Sequence, residues 1–474
     1  MAPASPDGLN IIILGGGIAG LTTALALTKY APKGQVPRIQ IFEIRPVPAT
    51  IGGAVNLTPN ALRLLDHLGA LPIIRERDYG RTIDYLEVFD VYSTRLATSD
   101  FSGPEGKGIG NPPYKALRIT RGDALKGVLA AVEQHENITL TCGKRTVDIK
   151  ETPQNVTLTF EDGGSATADM LMGCDGIHSV TRLKHVEPER KATYSGLCNA
   201  FGFAPVEPDF PVHFECTAIN FARRGMLLTS YHNSQKDSIY VGALMQLPEL
   251  ESRDGWKAAG ADEKKIRADI MERFGDAKIP SIKPLIEKAQ DFFLWPVFTL
   301  SKFGKWSTDR VMLLGDAAVS FKFPFLSLPE SRILSFATAA CHAQSTQAKE
   351  RGKKKRESLS TNTASSQHAM PPQGESTGIV FEDTVLFSRC LTRWIEKGQP
   401  GGNMREAFDA YEKLRRARIE AAFEESKSVV STVSDAGYIG HTIKTYVIPW
   451  FLWFTRASRE KHFVEDVTSV DIGY

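Results

Sequence analysis

The sequence predicts an α/β protein with three parts: a parallel sheet wrapped by helices, a second domain built on a mixed sheet, and a run of helices at the C-terminus. Three observations carry this reading. Residues 10–14, NIIIL, are continuously apolar, the pattern of a strand buried on both faces, and lead through a glycine-rich turn into LTTALALTKY, which has helical composition. Residues 191–290 change character: the strand patterns RRGMLLTSYHN and SIYVGALMQL are followed by DEKKIRADIMERFG, an amphipathic helix with Ile266, Ile270, Met271 and Phe274 on one side. After residue 401, NMREAFDAYEKLRRARIEAAFEESKSVV keeps helical spacing throughout, with dense charge pairs on its outer face.

Size and composition bound the rest. A chain of 474 residues can form two or three domains. With 42% hydrophobic and 24% charged residues and a net charge of +2, it has the balance of a globular protein and no electrostatic footprint for nucleic acid. The six cysteines are scattered without metal-ligand spacing and are expected to be reduced and packed. The opening MAPASPDGLN lacks a basic region, and glycines break the apolar run after it, so neither a signal peptide nor a span is expected and the expected setting is cytoplasmic. Near the end, YVIPWFLWF (446–454) contains Pro449 and is too short to cross a bilayer. It reads as a packing segment, with a peripheral membrane foothold as the alternative.

The first element with chemistry is the turn after residue 14. Gly15, Gly17 and Gly20 stand in GxGxxG spacing between strand and helix, and RIQIFEIRP follows as a second strand carrying Glu43. This is the Rossmann-like β-α-β fingerprint of dinucleotide binding. Gly15 allows the tight turn, Gly17 lets backbone approach a pyrophosphate at the helix N-terminus, and Gly20 lets helix and strand pack closely. Glu43 is placed to accept both hydroxyls of an adenosine ribose; an acidic residue there disfavours a 2′-phosphate, which leaves FAD or NAD.

Three further motifs follow in order: LRITRGDAL (117–125), ADMLMGCDGIHSVTR (168–182) and DRVMLLGDAA (309–318). With the first loop they resemble the FAD-dependent aromatic hydroxylases of the p-hydroxybenzoate and salicylate hydroxylase type, over roughly residues 8–190 and 291–425; a fungal, secondary-metabolism member is the expected setting. The resemblance implies bound FAD, with NADH or NADPH visiting as co-substrate. It implies that Arg121 contacts the pyrophosphate and ribityl region, that Asp175 shapes the groove around the pyrophosphate with Ser179 and Arg182 after it, and that Asp316 binds a ribityl hydroxyl. In IGGAVNLTPNALRLLDHLG (51–69) it places Ala54 closest to the flavin ring. The implied chemistry is transfer of oxygen from O2 to a small aromatic substrate through a flavin C4a-hydroperoxide, so no acid–base triad or metal site is required. Epoxidation or oxidative dearomatisation on the same scaffold is the alternative. The expected domains are a discontinuous FAD-binding domain (8–190 and 291–400), a substrate domain (191–290) and a C-terminal helical region (401–474). In the substrate domain the family's AYRG-like stretch corresponds to CNAFGF (198–203), which has no arginine. Tyr231, His232 and Tyr240 are the candidate pocket residues there.

One segment breaks the pattern. GDAA (315–318) runs into VSFKFPFLSLP, a basic KERGKKKRES and the low-complexity STNTASSQ, and then HAMPPQGESTG begins at His368. Without residues 319–367 the chain reads GDAAHAMPPQGESTG, which resembles the family's GDAAH-x-x-PP-x-x-G-x-G block. There the resemblance places Pro371 and Pro372 beside the flavin ring and Gly374 and Gly378 at its pyrimidine end. A structureless loop of this length inside a compact domain is rare. Val319-Ser320 is encodable as GTAAGT, a splice donor; Gln367 as CAG, an acceptor; Thr361-Asn362 as ACTAAC, which holds a branch-point-like CTAAC. We therefore expect residues 319–367 to be retained intron sequence, leaving a 425-residue protein; a functional lid or basic targeting loop is the other reading, and a translated insert would give an inactive flavoprotein. Sequencing of cDNA should show mature transcripts without the segment, and the full-length chain should purify with little or no FAD. A yellow full-length protein with substrate-stimulated NAD(P)H oxidation contradicts this.

Overall fold

The computed structural model describes residues 8–50, 52–92, 94–250, 252–301, 304–319, 375–399, 404–433, 435–454 and 456–473. Its organising element is a five-stranded sheet in the order Val311–Leu313, Met170–Gly173, Asn10–Leu14, Arg38–Phe42, Ile138–Thr141, with every neighbouring pair parallel. Ile11 to Leu14 are buried, as a run without polar residues requires. The helix Ile18–Tyr30 packs against the helices Arg121–Val132 and Glu375–Glu396. The register matters most at one edge: Leu313 lies opposite Gly173, Gly173 opposite Leu14, and Leu14 opposite Phe42. Four strands therefore end in one row, tied by Gly15 N–H to the Phe42 carbonyl at 2.9 Å, Cys174 N–H to Leu14 at 2.8 Å and Leu314 N–H to Gly173 at 2.9 Å.

The mixed sheet has seven strands in the order Gln290–Thr299, Thr193–Pro205, Ser238–Gln246, Gly225–Tyr231, Thr217–Ala222, Tyr85–Asp90, Arg95–Asp100. All pairs are antiparallel except Thr217–Ala222 with Tyr85–Asp90, which is parallel. This corrects the expected 191–290 boundary. The sheet also recruits residues 85–100 and 290–299, because a pairing between residues more than a hundred positions apart leaves no local trace in the strand YLEVFD. Helices Glu263–Phe274 and Ile282–Lys288 cover one face, burying Ile266, Ile270, Phe274 and Leu285 against Tyr231, Ile239, Val241 and Met245. The other face turns Phe201 and Tyr240 toward Ala54 of the first domain. A third, small sheet joins Ala54–Leu57, Ala116–Thr120 and Arg81–Ile83.

The C-terminal region is helical as expected: Arg405–Val433, Tyr438–Phe454 and Arg456–Val464. The aromatic segment 446–454 sits in the second of these. Ile448 and Leu452 are buried with Leu86, Val88 and Phe101, so the segment does pack, while Tyr446, Trp450 and Trp453 face outward. No helix among the described residues is long and apolar enough to cross a membrane.

Arg415 fastens the helix Arg405–Val433 to the first domain. Its Nη1 donates to Glu382 Oε2 at 2.8 Å, its Nε to the Asp383 carboxylate, and its Nη2 to the Ile379 carbonyl at 2.9 Å. Glu382 in turn accepts from Asn60 Nδ2 at 2.9 Å, on the helix Pro59–His67. All four side chains are buried. Arg415→Ala strands two buried carboxylates and should destabilise the fold by about 3–5 kcal/mol, measured by denaturant unfolding; a loss near that of a surface substitution would show the cluster to be dispensable.

Candidate active site

The row of strand ends collects the sequence motifs. Gly15 follows Leu14, Glu43 follows Phe42, Cys174-Asp175 follows Gly173, and Gly315-Asp316 follows Leu314. Gly15 has φ 106°, and a Cβ there would lie 2.3 Å from the Cys174 carbonyl oxygen, so no other residue fits. A Cβ on Gly20 would meet the Gly15 oxygen at 1.9 Å. Gly17 differs: nothing lies within 4 Å of its added Cβ, and the helix it begins has no side-chain cap and no acidic residue in its first turn. That helix end faces open space with free N–H groups, a ready site for a phosphate. Glu43 is buried and already accepts from Gly16 N–H at 2.8 Å and Arg45 N–H at 2.9 Å, which leaves lone pairs on both oxygens for hydroxyl donors.

Arg121 opens its helix behind the Thr120 cap, which accepts from Asp123 N–H at 3.0 Å. Its own N–H donates to the Gly53 carbonyl at 3.0 Å, and its side chain lies so close to Gly52 that a Cβ there would come 2.4 Å from Arg121 Cδ. Asp316 is exposed at the turn that follows Leu314. Desolvation by the protein around it pushes its carboxyl up, and Arg121 pulls it back down, so the two groups face each other's field. Asp175 accepts from Ser179 Oγ at 2.5 Å and from Thr181 N–H at 2.9 Å. Arg182 is completely buried and is held by carbonyls rather than by Asp175; its Nη1 donates to Ala317 at 2.8 Å, tying the Asp175 loop to the Asp316 turn. Gly378, in the first turn of Glu375–Glu396, packs against Thr58 and Asn60, where a Cβ would press within 3.3–3.4 Å. Pro371, Pro372 and Gly374 lie outside the described residues.

Across from these loops the mixed sheet presents aromatic rings. Tyr240 is wedged between two backbones: a Cβ on Gly53 would lie 2.0 Å from its ring and one on Gly242 2.4 Å from its hydroxyl. Phe201 stacks on it with centroids 5.8 Å apart, and both bury Ala54. The pocket residues expected from sequence divide here. Tyr231 pairs with Ile239 and points into the helix-covered core against Phe214, away from Ala54, because alternate strand residues face opposite sides. Tyr240 is the tyrosine at the junction. His232 lies at its margin, edge-on to Phe203 at 5.0 Å and bonded to Ser238 Oγ at 3.1 Å. Burial, and then Arg118, hold its pKa below the usual histidine value. Arg118 itself was not anticipated as a site residue: it is 2% exposed, under the Tyr240 ring at 5.1 Å.

Residues 9–321, well over half the chain, match the family described as FAD binding domain. The chain belongs to the FAD-dependent aromatic hydroxylases. Its cofactor is FAD, and its class is oxidoreductase, monooxygenase. This flavoprotein is 26% identical over 322 residues to 3-hydroxybenzoate 6-hydroxylase of Klebsiella oxytoca, covering 65% of this chain and 73% of that one. To salicylate hydroxylase of Pseudomonas putida it is 25% identical over 437 residues, 87% and 83% of the two chains. Its fold is shared with Klebsiella pneumoniae HpxO complexed with FAD and uric acid, at 17% identity, TM-score 0.68 and 96% of each chain. It is shared as well with a salicylate hydroxylase substrate complex, at 17% identity, TM-score 0.64, and 98% and 99% of the two chains. The open helix end at Gly17, with Asp316 and Arg121 close enough to feel each other's charge, fits an extended dinucleotide with a phosphate centre and a polyol arm. Asp316→Ala should weaken FAD binding roughly ten- to hundredfold, the worth of charge-assisted hydrogen bonds to hydroxyls, read by titrating FAD into the flavin-free protein; unchanged affinity would remove Asp316 from the site.

Proposed function

We propose that the protein is an NAD(P)H-consuming monooxygenase that hydroxylates a small aromatic or phenolic molecule with O2. The observation that carries this is the junction where Ala54, beside the FAD-binding loops, meets Tyr240, Phe201 and Phe203 of the mixed sheet. Ala54, Phe201 and Tyr240 are all under 9% exposed, so the junction is apolar and aromatic, the surroundings that suit a flat ring. The names of the relatives, hydroxylases of 3-hydroxybenzoate and salicylate, support the same substrate class.

In this reading Gly15, Gly17 and Gly20 seat the pyrophosphate, Glu43 takes the adenosine ribose, Arg121 and Asp316 hold the ribityl arm, and Asp175 keeps the adjoining loop in shape through Ser179 and Thr181. FAD held by these residues would supply the redox chemistry, with NADH or NADPH as reductant and O2 as the source of the added oxygen. The protein's own work is then positioning and exclusion of water. Tyr240, whose burial raises its pKa, stays a neutral phenol at the wall, and His232, lowered by burial, stays a neutral imidazole at the margin.

The test is NADH and NADPH oxidation by the 425-residue form with a panel of phenols, hydroxybenzoates and polyketide aromatics. Stimulation by an aromatic, with a product carrying one added oxygen, is expected. Oxidation that no aromatic stimulates contradicts the proposal.

A further inference from the structure

The helix Tyr438–Phe454 is apolar on two sides. Its inner side is placed by His441, Ile448 and Leu452, all buried. His441 Nε2 lies 2.9 Å from Asp90 Oδ1, and Ile448 and Leu452 pack with Leu86, Val88 and Phe101. Its outer side carries Ile439, Tyr446, Trp450 and Trp453, which fall on one face at helical spacing. Tyr446 is 79% exposed and Trp453 72%. Of the fourteen large hydrophobic side chains exposed among the described residues, six belong to this one helix, so apolar surface is concentrated there. A helix with two apolar sides, one of them covered by its own sheet, has a second surface to meet.

Charge and chemistry point to the occupant. The last two helices, Tyr438–Phe454 and Arg456–Val464, hold Lys444, Arg456, Arg459 and Lys461 against the single acid Glu460. That is a surplus of three positive charges (4 − 1), where the whole chain has a net charge of +2. Arg456 and Glu460 pair at 2.7 Å, with Asp100 near Arg456, which leaves Lys444, Arg459 and Lys461 as the surplus. The outward stripe itself has no charged residue. Its rings are tyrosine and tryptophan, each with an apolar body and a polar tip, the side chains that settle where water meets hydrocarbon. From Ile439 to Trp453 the stripe runs about 21 Å along the helix axis. Seventeen residues interrupted by Pro449 fall short of a bilayer core, so such a helix lies along a membrane surface and does not cross it.

We infer that Tyr438–Phe454 docks the protein on an anionic lipid bilayer, its outer stripe seated at the headgroup boundary and the cationic surplus of the last two helices drawn to the lipid phosphates. Because the helix rests on strands of the mixed sheet, docking holds that domain at the bilayer. The inference is independent of the substrate and of the flavin chemistry.

The test is flotation of the full-length protein with vesicles of phosphatidylcholine alone and of phosphatidylcholine mixed with phosphatidylserine. Wild type should float with the mixed vesicles, more weakly with phosphatidylcholine alone, and less as salt is added. The double substitution Tyr446→Ser, Trp453→Ser should lower partition onto the mixed vesicles about tenfold or more, with circular dichroism unchanged because both side chains are exposed. Wild type that floats with neither vesicle overturns the inference, and so does binding that survives the double substitution. Binding that disappears in the 425-residue form belongs to the basic run KERGKKKRES and overturns it as well. Self-association of wild type that the substitutions abolish, without vesicle binding, assigns the face to a second copy of the chain instead. Should the variant not fold, quenching of wild-type tryptophan fluorescence by brominated lipid decides in its place: quenching supports docking through the aromatic stripe, and its absence overturns it.

Discussion

The parallel register at the sheet's carboxyl edge is the constraint on which the rest depends. Leu313, Gly173, Leu14 and Phe42 end level with one another, so four turns from distant parts of the chain open side by side. A slip of one residue in any of these strands would move its motif about 3.3 Å out of the row and turn its side chains to the other face. The hydrogen bonds that lock the row come from the turn residues themselves: Gly15, Cys174 and Leu314 each donate to the end of the adjacent strand. The turns are thus continuous with the sheet, which fixes the direction of their backbone N–H groups.

Arg415 does for the helices what the register does for the turns. It holds Glu375–Glu396 against Asn60 through two carboxylates, and the same helix touches the Asp316 turn, where a Cβ on Gly315 would lie 3.4 Å from Val380. The turn Gly315–Ala317 and the helix Glu375–Glu396 are thus in contact with each other.

Much of the first domain was legible because its signals are local. GxGxxG between a strand and a helix, an acidic residue after the next strand, and Gly-Asp at the end of an apolar run each carry their meaning within a few residues. The amphipathic spacing of Ile266, Ile270 and Phe274 likewise foretold which face of Glu263–Phe274 would be buried. What the sequence hid was set by pairing at long range. Nothing in YLEVFD announces that it extends the other domain's sheet. Choosing between Tyr231 and Tyr240 needs the strand's absolute phase, which alternation alone leaves open. Arg118 reads as one polar position in an alternating strand; only the approach of Ser230, 112 residues later, encloses it.

The central claim is that a flavin cleft built on that row faces an aromatic site and moves oxygen from O2 to a ring. The most direct measurement is the origin of the new oxygen, followed by mass spectrometry of the product formed under isotopically labelled dioxygen in ordinary water. The account predicts one labelled atom in each hydroxylated molecule. Unlabelled product, with its oxygen drawn from water, would contradict it.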